Sequence, residues 1–224
     1  MKAPWNKIIL FFIIIFLVSS CSVPPSGIII LCAGDSITEA DYPYFLHKIL
    51  KKEGIMAKVL NYGQIGFTSG EYLDFLRNDQ NTLASEQPDF ILLQLGTNDV
   101  RFDHDSTSGE EFYSNMKEII KIFRGFRNRS GKKSEILLAT IPPIPEGSLF
   151  PFTSESQTRV TKEINPYLKK ISDEEKVILV DNYTPFVQSP HLLPEVHPSR
   201  EGYRHLAQNW YDALKPLLST KAQQ

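Results

Sequence analysis

Cysteine is scarce in this chain: Cys21 and Cys32 are the only two in 224 residues. Cys32 sits inside an apolar run and Cys21 beside a short proline-containing stretch. A disulfide between them is not expected, and Cys32 reads as a small core residue. No Cys/His spacing suited to a metal ion occurs. Cationic surplus is also lacking, with 24 Lys and Arg against 26 Asp and Glu and a formal charge of −2. Without residues 1–20, which carry Lys2 and Lys7, the charge stands near −4. No Lys/Arg stripe offsets this, so a nucleic-acid partner is not expected. No apolar run reaches the roughly 20 residues of a membrane-crossing helix. The longest, Ile8 to Val18, has 11. Repeats and low-complexity blocks are missing as well. What is there is ordinary: 42% hydrophobic and 22% charged residues, the composition and length of one medium globular domain.

The N-terminus reads as a targeting segment. Lys2 and Lys7 precede the apolar run, and Val18-Ser19-Ser20-Cys21 follows it. Short positive region, short apolar core and small residues form the pattern of a signal peptide. The small residues before Cys21 resemble a bacterial lipoprotein signal. That resemblance implies removal of residues 1–20, lipid on Cys21 and a tether over 21–26. It places the protein in the cell envelope, with inner or outer membrane left open. The plainer alternative is ordinary signal cleavage with Cys21 free. The folded domain is expected over 27–218, with a tail at 219–224.

Along the domain, strand and helix patterns alternate. Gly27 to Ala33 is apolar without alternation, as in a strand covered on both faces. Further strands are expected at Met56–Leu60, Asp89–Leu95, Glu135–Thr140 and Val177–Val180. Helices are expected at Tyr42–Lys52, Ser69–Arg77, Glu110–Phe126, Thr158–Ile171 and from Ser199 to about Leu218. Pro166 should kink or break the fourth, since an internal proline costs about 3 kcal/mol. Residues 142–155 and 182–196 are expected to be irregular. The order predicts an α/β fold: a five-stranded parallel sheet in a three-layer α/β/α sandwich. In such sheets, sites form where strands end.

Several strand ends carry short polar residues or glycines. Gly34-Asp35-Ser36 follows the first strand and places Ser36 at the open edge of the sheet. This makes Ser36 a candidate nucleophile, although Gly-Asp-Ser is also ordinary turn chemistry and Ser36 could simply cap a helix. Asn61 to Thr68 follows the second strand and contains Gly63 and Gly66. Gly96-Thr97-Asn98-Asp99 follows the third. His197-Pro198-Ser199, then Gly202-Tyr203, opens the last helix. Of the five histidines, His47 and His205 lie on helix faces and His104 and His191 in loops without a partner pattern. His197 is fixed by the following proline and N-cap, and is the best candidate base.

These four segments together resemble the GDSL esterases and lipases, or SGNH hydrolases, over about residues 27–216. The resemblance implies a flavodoxin-like fold and a Ser36–His197 pair. It also implies an oxyanion hole from the Ser36 N–H, the Gly66 N–H and the Asn98 side chain, with Asp99 bracing the Asn98 loop. It implies no metal and no organic cofactor. The family usually places Asp three residues before the histidine, where this chain has Pro194. Glu195 is the first candidate to orient His197. Asp181 and a backbone carbonyl are the alternatives.

The expected function is carboxylic-ester hydrolysis through an acyl-enzyme. Substrates would be small esters, glycan O-acetyl groups or single-chain lipids, with Phe67, Phe102, Phe150 and Phe152 available to line an acyl pocket. The competing expectation is a weak or inactive surface protein of the same fold that binds glycan or lipid. Nothing in the sequence fixes oligomeric state.

Overall fold

A computed structural model describes residues 27–103 and 106–221. The proposed signal segment, Cys21, the tether and His104 lie outside the described residues.

The first strand, β1 (Ile28–Gly34), runs into a single helical turn, α1 (Ser36–Glu39), and then α2 (Tyr42–Lys52). Next come β2 (Ala57–Gly63), α3 (Ser69–Ser85), β3 (Phe90–Gln94) and α4 (Gly109–Phe123). The second half holds β4 (Glu135–Ala139), α5 (Ser154–Arg159), α6 (Asn165–Glu175), β5 (Ile178–Val180), α7 (Thr184–Gln188) and α8 (Arg200–Lys221). The five strands form one parallel sheet in the order β2-β1-β3-β4-β5.

The unbroken apolar runs follow from burial of both sheet faces. Leu31, Ala33, Ile91, Leu93, Ile136 and Leu138 pack with α3, α4 and α6. Ile30, Cys32, Phe90, Leu92, Leu137 and Ala139 pack on the other face with α2 and α8. Successive residues of a strand point to opposite faces, so a strand covered twice needs apolar residues at every position. Cys32 is fully buried, which pushes its thiol up to about 12. Trp210 on α8 is also fully buried and stacks on Tyr42 of α2, centroids 6.2 Å apart.

Three expectations about elements need correction. The helix at Ser69 runs on to Ser85 rather than stopping at Arg77. Asn78 to Asn81 are polar, but Leu76 and Leu83 are seven residues apart, on one helix face, and both are buried. The stretch 182–196 contains α7 and a 3-10 turn, Pro190–Leu192. Asp181 starts α7, its Oδ1 accepting from the N–H groups of Tyr183 and Thr184 at 2.9 Å each. The fourth expected helix begins earlier, at Ser154, and is not a uniform α-helix. The break expected near Pro166 is a π-helical turn over Val160–Ile164 that joins α5 to α6. Pro166 has no N–H to give, and the wider turn before it lets the chain continue as α6.

Candidate active site

The C-terminal ends of β1, β2 and β3 bring three loops together. At the end of β1, Asp35 Oδ1 accepts from Ile37 N–H at 2.9 Å and so caps α1. Ser36 is the first residue of that turn. Its N–H points out of the helix end and makes no hydrogen bond among the described residues. Gly34, just before, is required by contact. A Cβ there would lie 2.2 Å from Thr38 Oγ1 and 2.3 Å from the Gln94 carbonyl oxygen.

The loop after β2 is tied to the end of β1 by Gln64 N–H donating to the Gly34 carbonyl at 2.8 Å. Gly66 in this loop has φ +77°, the left-handed region that favours glycine. The space above it is empty, with nothing within 4 Å of where a Cβ would stand. Its N–H has no partner among the described residues.

The loop after β3 forms a 3-10 turn, Asn98–Val100. Asn98 is buried, and its Nδ2 donates to the Phe67 carbonyl at 3.0 Å. An amide NH₂ has two hydrogens, so one orients the side chain and one remains. Asp99 is fully buried and receives Ser69 Oγ–H at 2.6 Å and Ser69 N–H at 3.0 Å. Burial raises its carboxyl pKa, opposed by these bonds from Ser69. Asp99 therefore does more than brace its own loop: it fastens that loop to the start of α3, beside Gly66. Arg159 of α5 adds a further brace, donating from Nη1 to the Asp99 carbonyl at 2.8 Å. Sequence reasoning missed Arg159; no motif marks it.

His197 comes from the far end of the chain. Ser199 N–H donates to the Leu192 carbonyl at 2.9 Å, and Ser199 Oγ accepts from Gly202 N–H at 3.1 Å. Pro198 is buried between them. The result is contact across 161 residues: Ser36 Oγ and His197 Nε2 stand 2.8 Å apart.

The structure does not bring Glu195 to the other side of the ring. Glu195 is exposed and makes no hydrogen bond or ion pair among the described residues, and none reaches His197 Nδ1. The cause is local. Val196 turns inward against the core, which directs its neighbour Glu195 to solvent. Asp181 is already engaged by Thr140, Tyr183 and Thr184. Burial pushes its pKa up, but these hydrogen bonds outweigh it and hold the carboxyl below its usual range. Among the described residues, no backbone carbonyl accepts from Nδ1 either. Glu195→Gln is accordingly expected to leave kcat within about twofold, the range for a surface change that breaks no contact. A tenfold loss in a steady-state ester assay would show that Glu195 reaches His197 during turnover.

The remaining sequence candidates divide. His47 and His191 are exposed, and His205 packs edge-on against Phe186, centroids 6.1 Å apart. Phe67 and Phe152 pack against the core, whereas Phe102 and Phe150 are exposed. Phe102 N–H donates to the Pro151 carbonyl at 2.8 Å, so these two aromatic loops are joined. Among the described residues, no cluster of three or more His, Cys, Asp or Glu suits a metal ion, and no helix is long and apolar enough to cross a membrane.

Comparison with known proteins matches residues 32–205 to a family described as GDSL-like Lipase/Acylhydrolase. A multidomain esterase from Ruminococcus flavefaciens is 28% identical over 134 residues, which is 58% of this chain and 16% of that protein. The chain thus spans about a sixth of the length of that curated relative. Among solved structures, an acetylxylan esterase from Geobacillus stearothermophilus superposes with TM-score 0.66 at 19% identity, covering 84% of this chain and 94% of that one. A GDSL-like lipase from Bacteroides thetaiotaomicron gives TM-score 0.65 at 19% identity, covering 84% and 88%. A carbohydrate acetylesterase family member from Sinorhizobium meliloti gives 0.62 at 18%, covering 86% and 98%. At these identities the structural likenesses show the fold: the five-stranded parallel α/β sandwich.

Proposed function

Since the chain belongs to the GDSL-like lipase/acylhydrolase family, we propose that its folded domain hydrolyses short-chain carboxylic esters, O-acetyl groups on carbohydrate foremost, through an acyl-enzyme on Ser36. The observation that carries this is the 2.8 Å contact between Ser36 Oγ and His197 Nε2. A serine hydroxyl becomes a useful nucleophile when a base stands within hydrogen-bond reach.

The steps follow from the positions. His197 Nε2 takes the Ser36 proton as Oγ bonds to the acyl carbon, and the carbonyl electron pair moves onto oxygen. Ser36 N–H, Gly66 N–H and the second Asn98 amide hydrogen donate to that oxyanion. The carbon–alkoxy bond then breaks, and His197 returns its proton to the departing alcohol. Water repeats the sequence on the acyl-enzyme, releasing the acid and restoring Ser36. With no acceptor on Nδ1 among the described residues, the imidazolium formed midway lacks the stabilisation a carboxylate would give, so a modest turnover rate is expected.

The substrate class draws support from the acetylxylan esterase and carbohydrate acetylesterase folds that superpose on this one. The space above Gly66 is open, so no side chain obstructs an approach to its N–H. A panel of purified residues 22–224 against an aryl acetate, an aryl decanoate, acetylated xylo-oligosaccharide and lysophospholipid tests the assignment. Acetyl esters are expected to be fastest. Faster lysophospholipid turnover would overturn the substrate class, and no turnover of any ester would overturn the activity.

The lack of an Nδ1 acceptor among the described residues also favours a second reading, a surface protein that binds glycan or lipid without turnover. Covalent labelling of Ser36 by a fluorophosphonate decides between them: labelling supports the hydrolase, and glycan or lipid binding without labelling supports the second reading.

We further propose that Cys21 carries the lipid of an envelope-anchored protein. Metabolic labelling with a tagged fatty acid should mark the wild type and not Cys21→Ser; equal labelling would exclude it.

A further inference from the structure

Asp35 stands between Gly34 and Ser36 and is fully buried. Its Oδ1 accepts one bond, from Ile37 N–H, while its Oδ2 has no partner. Thr97, next to Asn98, is buried too, and its Oγ1 likewise has no partner. The two unsatisfied groups belong together. The Thr97 hydroxyl and backbone N–H lie beside the Asp35 carboxyl, just outside hydrogen-bond geometry. Buried polar atoms are rarely left unpaired, and two neighbouring ones call for an explanation.

We propose that Asp35 is a positioning residue that works as a neutral acid, its Oδ2–H donating to Thr97 Oγ1 and so tying the nucleophile turn to the oxyanion loop. The inference rests on the reading of Ser36 and Asn98 given above.

An ionised carboxylate here would be poorly supported. Asp35 forms no ion pair among the described residues, and one backbone N–H does not replace lost hydration. Its surroundings favour the neutral form. Asp99 approaches from the Asn98 turn, Tyr42 from α2 and Tyr203 from α8, and His197 reaches Ser36, the next residue along. Burial, together with the charge of Asp99, pushes the Asp35 carboxyl to about 7, against the bond from Ile37 and the nearby Thr97 hydroxyl and N–H. Hydrogen bonds in ligand-free active sites are often loose and tighten with substrate, which suits a gap that closes on binding.

The sign of the pH effect follows. Below about pH 7 Asp35 holds its proton and donates to Thr97; above it the hydroxyl turns to donate to the carboxylate, and a buried negative charge then stands beside the turn where the oxyanion develops. The rate should therefore fall as Asp35 ionises.

The test compares Asp35→Asn, Asp35→Ala and Thr97→Val on 4-nitrophenyl acetate across pH. Asn keeps the acceptor for Ile37 N–H and offers an NH₂ to Thr97 without titrating. Asp35→Asn is expected within about threefold of wild type at pH 6, with the alkaline fall abolished. Asp35→Ala and Thr97→Val should each lose about tenfold or more in kcat with little change in KM, the signature of misplaced groups. The double variant Asp35→Ala/Thr97→Val should be no worse than Asp35→Ala. A second measurement needs no turnover. The infrared spectrum of Ser36→Ala should carry a protonated-carboxyl band that titrates near pH 7 and disappears on adding Asp35→Asn, leaving any band from Asp99. A missing Asp35 band at pH 6, an Asp35→Asn enzyme as slow as Asp35→Ala, or an unchanged alkaline fall in Asp35→Asn would each overturn the proposal. The infrared result stands even if no ester is turned over, so failure here is separable from failure of the hydrolase reading.

Discussion

Ser36→Ala is expected to lower kcat on an aryl acetate by about 10⁴- to 10⁶-fold, the range seen when a nucleophile that works with a histidine is removed. It should also abolish fluorophosphonate labelling. Folding should be untouched. The Ser36 side chain makes one hydrogen bond, to exposed His197, and fills no core space. Other nearby hydroxyls are poor substitutes. Ser69 Oγ is committed to Asp99 at 2.6 Å inside the protein, and Thr38 is buried beneath the turn. The melting temperature serves as the control. An unchanged rate with an unchanged melt would remove Ser36 from the chemistry.

Asn98→Ala should cost about 10²- to 10³-fold in kcat, the usual consequence of losing one oxyanion donor. KM should move little, because the donor acts on charge that appears only in the transition state. The variant also loses the 3.0 Å bond to the Phe67 carbonyl, so the loop carrying Gly66 is loosened at the same time. A small loss of stability, about 1 kcal/mol for one net hydrogen bond, should accompany the rate effect. A large rise in KM with normal kcat would instead make Asn98 a substrate-binding residue.

Much of this architecture was legible from local pattern. The stripe of Tyr42, Phe45, Leu46 and Leu50 marks α2, and the doubly buried strands read as apolar runs because both faces must be covered. The four motif segments do fall at one edge of the sheet. What local pattern does not carry is contact across long sequence separation. Nothing near Asp99 says that its carboxylate will fasten to Ser69, and nothing near Arg159 says that it will brace the Asp99 carbonyl. Short elements were missed for a related reason. The single turns α7 and Pro190–Leu192 are started by prolines and the Asp181 cap rather than by an apolar stripe. The carboxylate beside His197 shows the limit most clearly. Proximity in sequence made Glu195 the first candidate, but the inward turn of Val196 decides where Glu195 points.

All five strands run the same way, so the sheet has a single polarity. The chain enters β1 at Ile28 on one edge, and Ser36 emerges at the other, seven strand residues later, a span of about 23 Å at 3.3 Å per residue. With Cys21 lipidated as proposed, the six residues 22–27 reach at most about 21 Å when fully extended. The bilayer would then sit beneath the entry edge, with the body of the domain standing between it and the reactive serine. Such a molecule faces outward like a lamp on a short post. If so anchored, it would have the lipids of its own membrane on its blind side and polymers passing through the surrounding space on its working side.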